Sequence, residues 1–415
     1  MSDSLYAAIS GLDSEQQLLG VVSQNIANVN TTGYKASSAS FAEALQQTLQ
    51  GAGAPTANLG GTNPEQVTAG GAVSVNAIDV NMSQGQIQST GINTNLAIQG
   101  QGFFVVQLAQ GGRAYTRAGN FTTDANGNLV DPQGHFVLGW MANGQGVLPS
   151  ETGANLQPIQ VPQTPMPPAA STGVTISGNL NAADVGTTTT ESVPVTVYDA
   201  LGTAIPITFT FTPPSTVTAG TSSWTVGVTG PSGDTVSISP TNISFSTTTG
   251  AASAGTWTLT VNEPNGNNLS IPVNLGGLTS YSAPTQLQGN QTGGYASGTL
   301  ESFNINNQGE VVGTYSNGLT QTIGQIALAS FANPAGLTNI GNSLWQTSPN
   351  SGPSQIGAPD TGPRGTIQSG ALEGSNVDLA NEFVNMIVAQ QGYQANAKVI
   401  TVDQTLRQTL TNMVQ

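Results

Sequence analysis

Few residues in this chain of 415 could do chemistry, and none is spaced to do it. His135 is the only histidine. No hydroxyl and carboxylate lie at a spacing that would build a nucleophile–base relay around it, so it reads as a structural residue. Cysteine is absent, which excludes disulfides and thiolate metal sites. Asp124, Asn126 and Asn128 imitate the first three ligands of a calcium loop. Leu129 stands where that loop needs glycine and His135 where it needs glutamate, so a hairpin turn at Asn126-Gly127 is the better reading. Gly100-Gln101-Gly102 has no third glycine and no helical pattern after it, so it is not a dinucleotide loop. Arg113 and Arg117 stand out among only six basic residues; pairing with Asp124 or with an acidic group of a neighbouring subunit is one reading, and an ordinary surface role is the other. No catalytic, cofactor or metal site follows from these residues, and the chain does not read as an enzyme.

The elements carry more information than the reactive groups. Residues 375–415 contain no proline and one glycine, Gly392. Leu379, Phe383, Met386, Tyr393 and Ile400 recur at helical spacing, and Val399, Val402, Leu406, Leu410 and Met413 continue the stripe in a shifted register. A helix of roughly 55–60 Å is predicted, with Ser375 or Asn376 as cap and Asp378 in the first turn. Its counterpart lies at the other end of the chain. Leu5, Leu12, Leu19 and Ile26 are seven apart, Ile9 and Val22 fill the same face, and Asn28, Asn30 and Gly33 stop the helix. The two ends are expected to pair, as an intramolecular coiled coil or in a bundle with other copies. Gln390 and Gln391 interrupt the C-terminal stripe, and buried in a bundle they would fix its register. The candidate assembly residues are Leu5, Ile9, Leu12, Leu19, Ile26, Leu379, Phe383, Met386, Gln390, Tyr393, Ile400, Leu406 and Leu410.

Between the ends lie about 340 residues rich in glycine, threonine, asparagine and proline. Charged residues make up 7% and the net charge is −15, a composition that argues against nucleic-acid binding. No apolar run is long enough to insert in a membrane, and no signal-peptide pattern opens the chain. A second helical piece is expected at Phe41, Leu45 and Leu49, then a linker over 51–71. Residues 72–148 and 284–351 share short strands and hairpin turns and are expected to form one split β-rich domain. Residues 149–283 comprise a proline-rich linker and an inserted antiparallel β-sandwich or barrel, marked by alternations such as Val193-Val195-Val197 and Trp224-Val226-Val228. The expected organisation is therefore a helical terminal domain (1–30 with 375–415), connecting segments (31–71 with 352–374), the split β domain and an outer β domain.

Several motifs then carry a resemblance. They are Leu5-Tyr6-Ala7-Ala8-Ile9-Ser10-Gly11-Leu12, Ser23-Gln24-Asn25-Ile26-Ala27-Asn28, Asn30-Thr31-Thr32-Gly33-Tyr34-Lys35, Tyr115-Thr116-Arg117-Ala118-Gly119-Asn120-Phe121, Gly370-Ala371-Leu372-Glu373-Gly374-Ser375-Asn376-Val377-Asp378-Leu379 and Gln390-Gln391-Gly392-Tyr393-Gln394-Ala395-Asn396. In these the chain resembles the bacterial flagellar axial proteins, the rod, hook and hook-associated subunits. Its length, Tyr315-Ser316-Asn317-Gly318 and Phe331-Ala332-Asn333-Pro334-Ala335 are hook-like. The resemblance implies a structural subunit exported without a cleaved signal peptide. It would form an extracellular homopolymer, a curved hollow tube that acts as a universal joint and conducts later subunits. The implied partners are further copies, rod proteins, the hook cap and hook–filament junction proteins, with no cofactor. It also implies terminal helices at the core of the tube. Glycine- and proline-rich joints at 51–71, 149–168 and 352–370 would let its domains reorient. A distal rod or hook-associated subunit, or a secreted β-rich adhesin, stands as the alternative.

Overall fold

The structure, a computed structural model, describes residues 2–43, 46–50, 65–68, 73–150, 153–218, 220–264 and 266–413. Two helices bracket the chain: α1, Ser2–Ala27, and α2, Leu379–Met413. Among the described residues no helix is long and apolar enough to cross a membrane. Asp378 itself caps α2, its carboxylate accepting from the Ala380 and Asn381 amides at 2.9 and 3.3 Å. Asn376, expected at that cap, instead accepts from the Ala36 amide and donates to the Asn81 carbonyl.

The chain divides into two compact units, the first made of residues 1–161, 303–312 and 321–415. In it the helices accompany a β body. The helical piece expected around Phe41 is a strand: Ser37–Glu43 pairs antiparallel with Val73–Val80, and Gln46–Gln50 with Glu65–Thr68. Residues four apart share a face in a strand as well as in a helix, so the spacing of Phe41, Leu45 and Leu49 does not discriminate. Leu45 and 51–64 lie outside the described residues.

The centre of the body is Phe103–Gln107, flanked by Arg113–Thr116 and Phe136–Met141. Its apolar run does not alternate because both faces are covered. Phe103 packs edge-on against Phe331 with ring centroids 5.7 Å apart, and Phe104 against Phe121 at 5.1 Å. Trp140, Leu138 and Trp345 are buried on the Phe103 side. The Asn126-Gly127 hairpin forms as expected, joining Thr122–Thr123 to Leu129–Val130. The Asp124 carboxylate is occupied by the Asn126 and Asn128 amides, which hold it below the usual carboxylate range; the Asn128 side-chain amide contributes most. His135 packs locally, its Nδ1–H donating to Asp131 at 2.8 Å.

The 352–370 stretch is built into this body rather than left as a hinge. Gln355–Gly357 pairs with Leu328–Ser330 and Thr366–Ser369 with Leu96–Gln99, and Ile367 is buried. The proline-rich stretch is likewise bound on either side of Val161. In the first unit the Ile159 amide donates to the Val137 carbonyl and its carbonyl accepts from the Leu129 amide; within the second unit Met166 bridges to Gly298.

The second unit, residues 162–302 and 313–320, is a two-sheet sandwich. One sheet runs in the order Thr235–Ser239, Trp257–Asn262, Leu269–Thr279, Gly173–Asn179, Gln286–Thr292. The other runs Glu191–Tyr198, Ala204–Thr212, Thr221–Thr229, Asn242–Ser246. Pairing is antiparallel except between Gly173–Asn179 and Leu269–Thr279, which are parallel. Alternation in the sequence becomes a dry interior containing Val193, Val195, Val197, Phe209, Phe211, Trp224 and Val226, with threonine and serine outside.

Candidate assembly interface

Helix α1 is sandwiched. One side meets the Val73–Val80 strand, where Ser14 donates to the Val73 carbonyl and Ser10 accepts from its amide. Another side meets α2 through small and polar residues. A Cβ on Gly392 would lie 2.5 Å from Glu15 Oε1, and one on Gly11 would lie 2.6 Å from Asn396 Nδ2. Each glycine is thus the notch that accepts a polar side chain from the opposite helix. Asn25 Nδ2 donates to Glu382 Oε1 at 3.0 Å. The step of four from Gly11 to Glu15 matches the step from Asn396 back to Gly392, and the ten from Glu15 to Asn25 match the ten back to Glu382. All three contacts therefore belong to one antiparallel register. Burial is the main cause that raises the Glu382 carboxyl above its ordinary range, opposed by the Asn25 hydrogen bond. Tyr34, which donates to Asn25 Oδ1, is raised by burial and by the nearby Glu382 charge.

This seam leaves most of the apolar surface of α2 in water. Only Ala389 and Asp403 are buried along the helix. Of the residues singled out by periodicity, Leu379, Phe383, Tyr393, Leu406 and Leu410 are exposed on α2, as is Ile9 on α1. Met386 and Ile400 are half-buried, as are Leu5, Leu12, Leu19 and Ile26. Gln390 is exposed and does not serve the intrachain seam. Val399 and Val402, which continue the stripe, are exposed as well, and the structure adds Val384, Ile387 and Val388 to the exposed apolar face. The spacing of Val384, Ile387 and Val388 is helical and could have revealed them; a single heptad register centred on Phe383 and Met386 passes over them.

At the root of the helix pair three motifs meet in one buried cluster. Glu373, fully enclosed, accepts from Lys35 Nζ at 2.7 Å, Arg117 Nη1 at 3.1 Å and the Gly85 amide at 2.9 Å. Lys35 also donates to the Ser83 carbonyl, and Arg117 to the Gly100 carbonyl. The Arg117 guanidinium lies 5.4 Å from the Phe103 ring centroid. This replaces the partner expected for Arg117, Asp124. Arg113 donates to the Gly153 carbonyl. Burial is the largest influence on both Lys35 and Arg117 and holds each below its usual range, against the pull of Glu373. Gly33 fits because its φ of +67° and its contact with the Ala118 backbone leave no room for a side chain.

Three family models match the chain: one described as a flagella basal body rod protein over residues 5–35, a flagellar hook protein FlgE/F/G D1 domain over 97–182, and the C-terminal part of flagellar basal body rod FlgEFG proteins over 368–413. Flagellar hook protein FlgE of Salmonella typhimurium is 35% identical, with 99% of this chain and 100% of that protein covered. Flagellar hook protein FlgE of Borreliella burgdorferi is 34% identical and that of Treponema pallidum 32%, each with both chains wholly covered. The crystal structure of Helicobacter pylori flagellar hook protein FlgE2 is similar in fold, with a TM-score of 0.52 at 17% identity over 69% of this chain and 100% of that one.

Proposed function

Because this chain belongs to the bacterial flagellar hook protein family, we propose that copies of it build the hook through the face of α2 that α1 leaves open. It is a structural subunit, not an enzyme, and the flagellum outside the cell is its place. Full-length similarity to hook proteins, across the inserted sandwich as well as the termini, supports the hook over a rod shaft. The observation that carries the assembly reading is the run of Phe383, Val384, Ile387 and Val388, all more than half exposed on an otherwise ordered helix. Such a patch rarely stays in water on a working protein. In the proposed tube this face meets a different surface of the next copy, because heterologous contacts that do not close into a ring continue as a helical filament.

The tube so built transmits torque and leaves a lumen for exported subunits. Strong helix contacts supply torsional continuity. The sandwich surface, threonine- and serine-rich with few charges, can exchange contacts with little desolvation cost as the tube bends. Rod proteins below, the cap during growth and the junction proteins above are the further partners, and export proceeds without a cleaved signal peptide. Electron microscopy of the purified, polymerised chain tests the reading. Curved hollow tubes are expected; straight shafts, or no polymer at any concentration, would overturn it.

A further inference from the structure

The three residues of the buried charge cluster come from three separate stretches of chain. Lys35 follows α1, Arg117 directly follows the Arg113–Thr116 strand of the β body, and Glu373 precedes α2. Lys35 and Glu373 are 338 residues apart. The backbone around them is equally cross-linked. The Gly33 amide donates to the Glu373 carbonyl at 2.8 Å, and the Gly374 amide to the Gln86 carbonyl at 2.8 Å. Ala371–Glu373 pairs with Ile87–Ser89. Two of the chain's six basic residues are committed here, against one carboxylate. The cluster is therefore over-supplied with positive charge, and among the described residues Glu373 is the one carboxylate paired with either cation.

We infer that Lys35, Glu373 and Arg117 form a clamp that closes only when the two ends of the chain meet, and that it fastens the root of the helix pair rigidly to the β body. The clamp is a property of the fold and holds whether or not the chain polymerises. In a polymer it would pass torsion from helix to body without a hinge at this point, leaving compliance to other segments. In the unfolded chain all three groups are hydrated, so the clamp does not hinder passage of an extended chain.

The charge imbalance makes the roles unequal, and this separates a clamp from ordinary packing. Glu373→Gln leaves two buried cations without a counter-charge. Lys35→Met leaves Arg117 and Glu373 matched one to one, and Ser83 keeps a donor in Asn376. Amide hydrogen exchange on the full-length chain reads the difference at Gly33, Gly85, Gly374 and Glu382, with Leu129 of the body and Val226 of the sandwich as references. Glu373→Gln is expected to lower protection at the four root amides on the order of 100-fold or more, and Lys35→Met by roughly three- to tenfold. Adding Lys35→Met to Glu373→Gln should recover at least about tenfold of the loss, since it removes one stranded cation. Equal losses in the two single variants, no recovery in the double, or a loss as large at Leu129 as at the root would overturn the clamp. If Glu373→Gln does not fold, Lys35→Met decides alone: a loss confined to the root amides supports the clamp, and an unchanged or chain-wide pattern refutes it.

Discussion

Truncating the open face of α2 gives the sharpest test of the assembly assignment. Ile387 and Val388 are 53% and 58% exposed in the single chain, so about half of each side chain remains to be buried by a neighbour. Full burial of such a side chain is worth about 1.5–3 kcal/mol, so the remaining half contributes about 1 kcal/mol at each position. Replacing either by alanine should therefore raise the critical concentration for polymerisation about fivefold, and replacing both about 25-fold. Alanine is a better helix former than valine or isoleucine, so α2 itself is not weakened. Sedimentation of polymer over a concentration series gives the critical concentration, and helical circular dichroism of the unassembled chain checks the fold. A shift below twofold in the double variant, with helicity unchanged, would mean that this face is not an assembly contact.

Further outcomes follow from the same contacts. Gly392→Ala should be nearly neutral in thermal melting, because the displaced Glu15 carboxylate is the mobile end of a side chain and alanine favours the helix. Gly119→Ala should instead destabilise the first unit severely, because its Cβ would overlap the Leu96 carbonyl, which is fixed backbone. Trp224→Ala, in the centre of the sandwich, should lower the stability of that unit by about 3–5 kcal/mol, seen as an earlier melting transition of the β signal. Glu382 has a folded-state pKa raised above its ordinary value of 4.5, so the folded state holds its proton more tightly than the unfolded one. Its contribution to stability is full below that ordinary value and is lost as pH rises through the folded one. Glu382→Gln should flatten the pH dependence of helix-pair melting in that window, and an unchanged slope would rule Glu382 out as its source.

Much of the architecture can be read from local pattern. The helices are legible because an apolar repeat over many turns has only one regular backbone that gathers it on one side. The sandwich strands are legible because Val193-Val195-Val197 and Trp224-Val226-Val228 alternate between a dry and a wet face. Local pattern fails where two geometries share a spacing, as with Phe41 and its neighbours, which pair as a strand with Val73–Val80. It fails again where composition suggests freedom: 352–370 has the glycines and prolines of a linker, yet sheet pairing with distant strands immobilises it.

The helices show the division most clearly. Periodicity identifies which residues of α2 are apolar, but not which face α1 takes. The intrachain seam uses Gly11, Glu15, Asn25, Glu382, Gly392 and Asn396, a polar and small-residue surface that no hydrophobic pattern marks. That choice leaves Phe383, Val384, Ile387 and Val388 exposed. Likewise, the sequence by itself identifies the motifs around Lys35, Arg117 and Glu373 but cannot say that they touch. Separations of up to 338 residues carry no local signal, and only the tertiary fold brings the three charges into one space from which water is excluded.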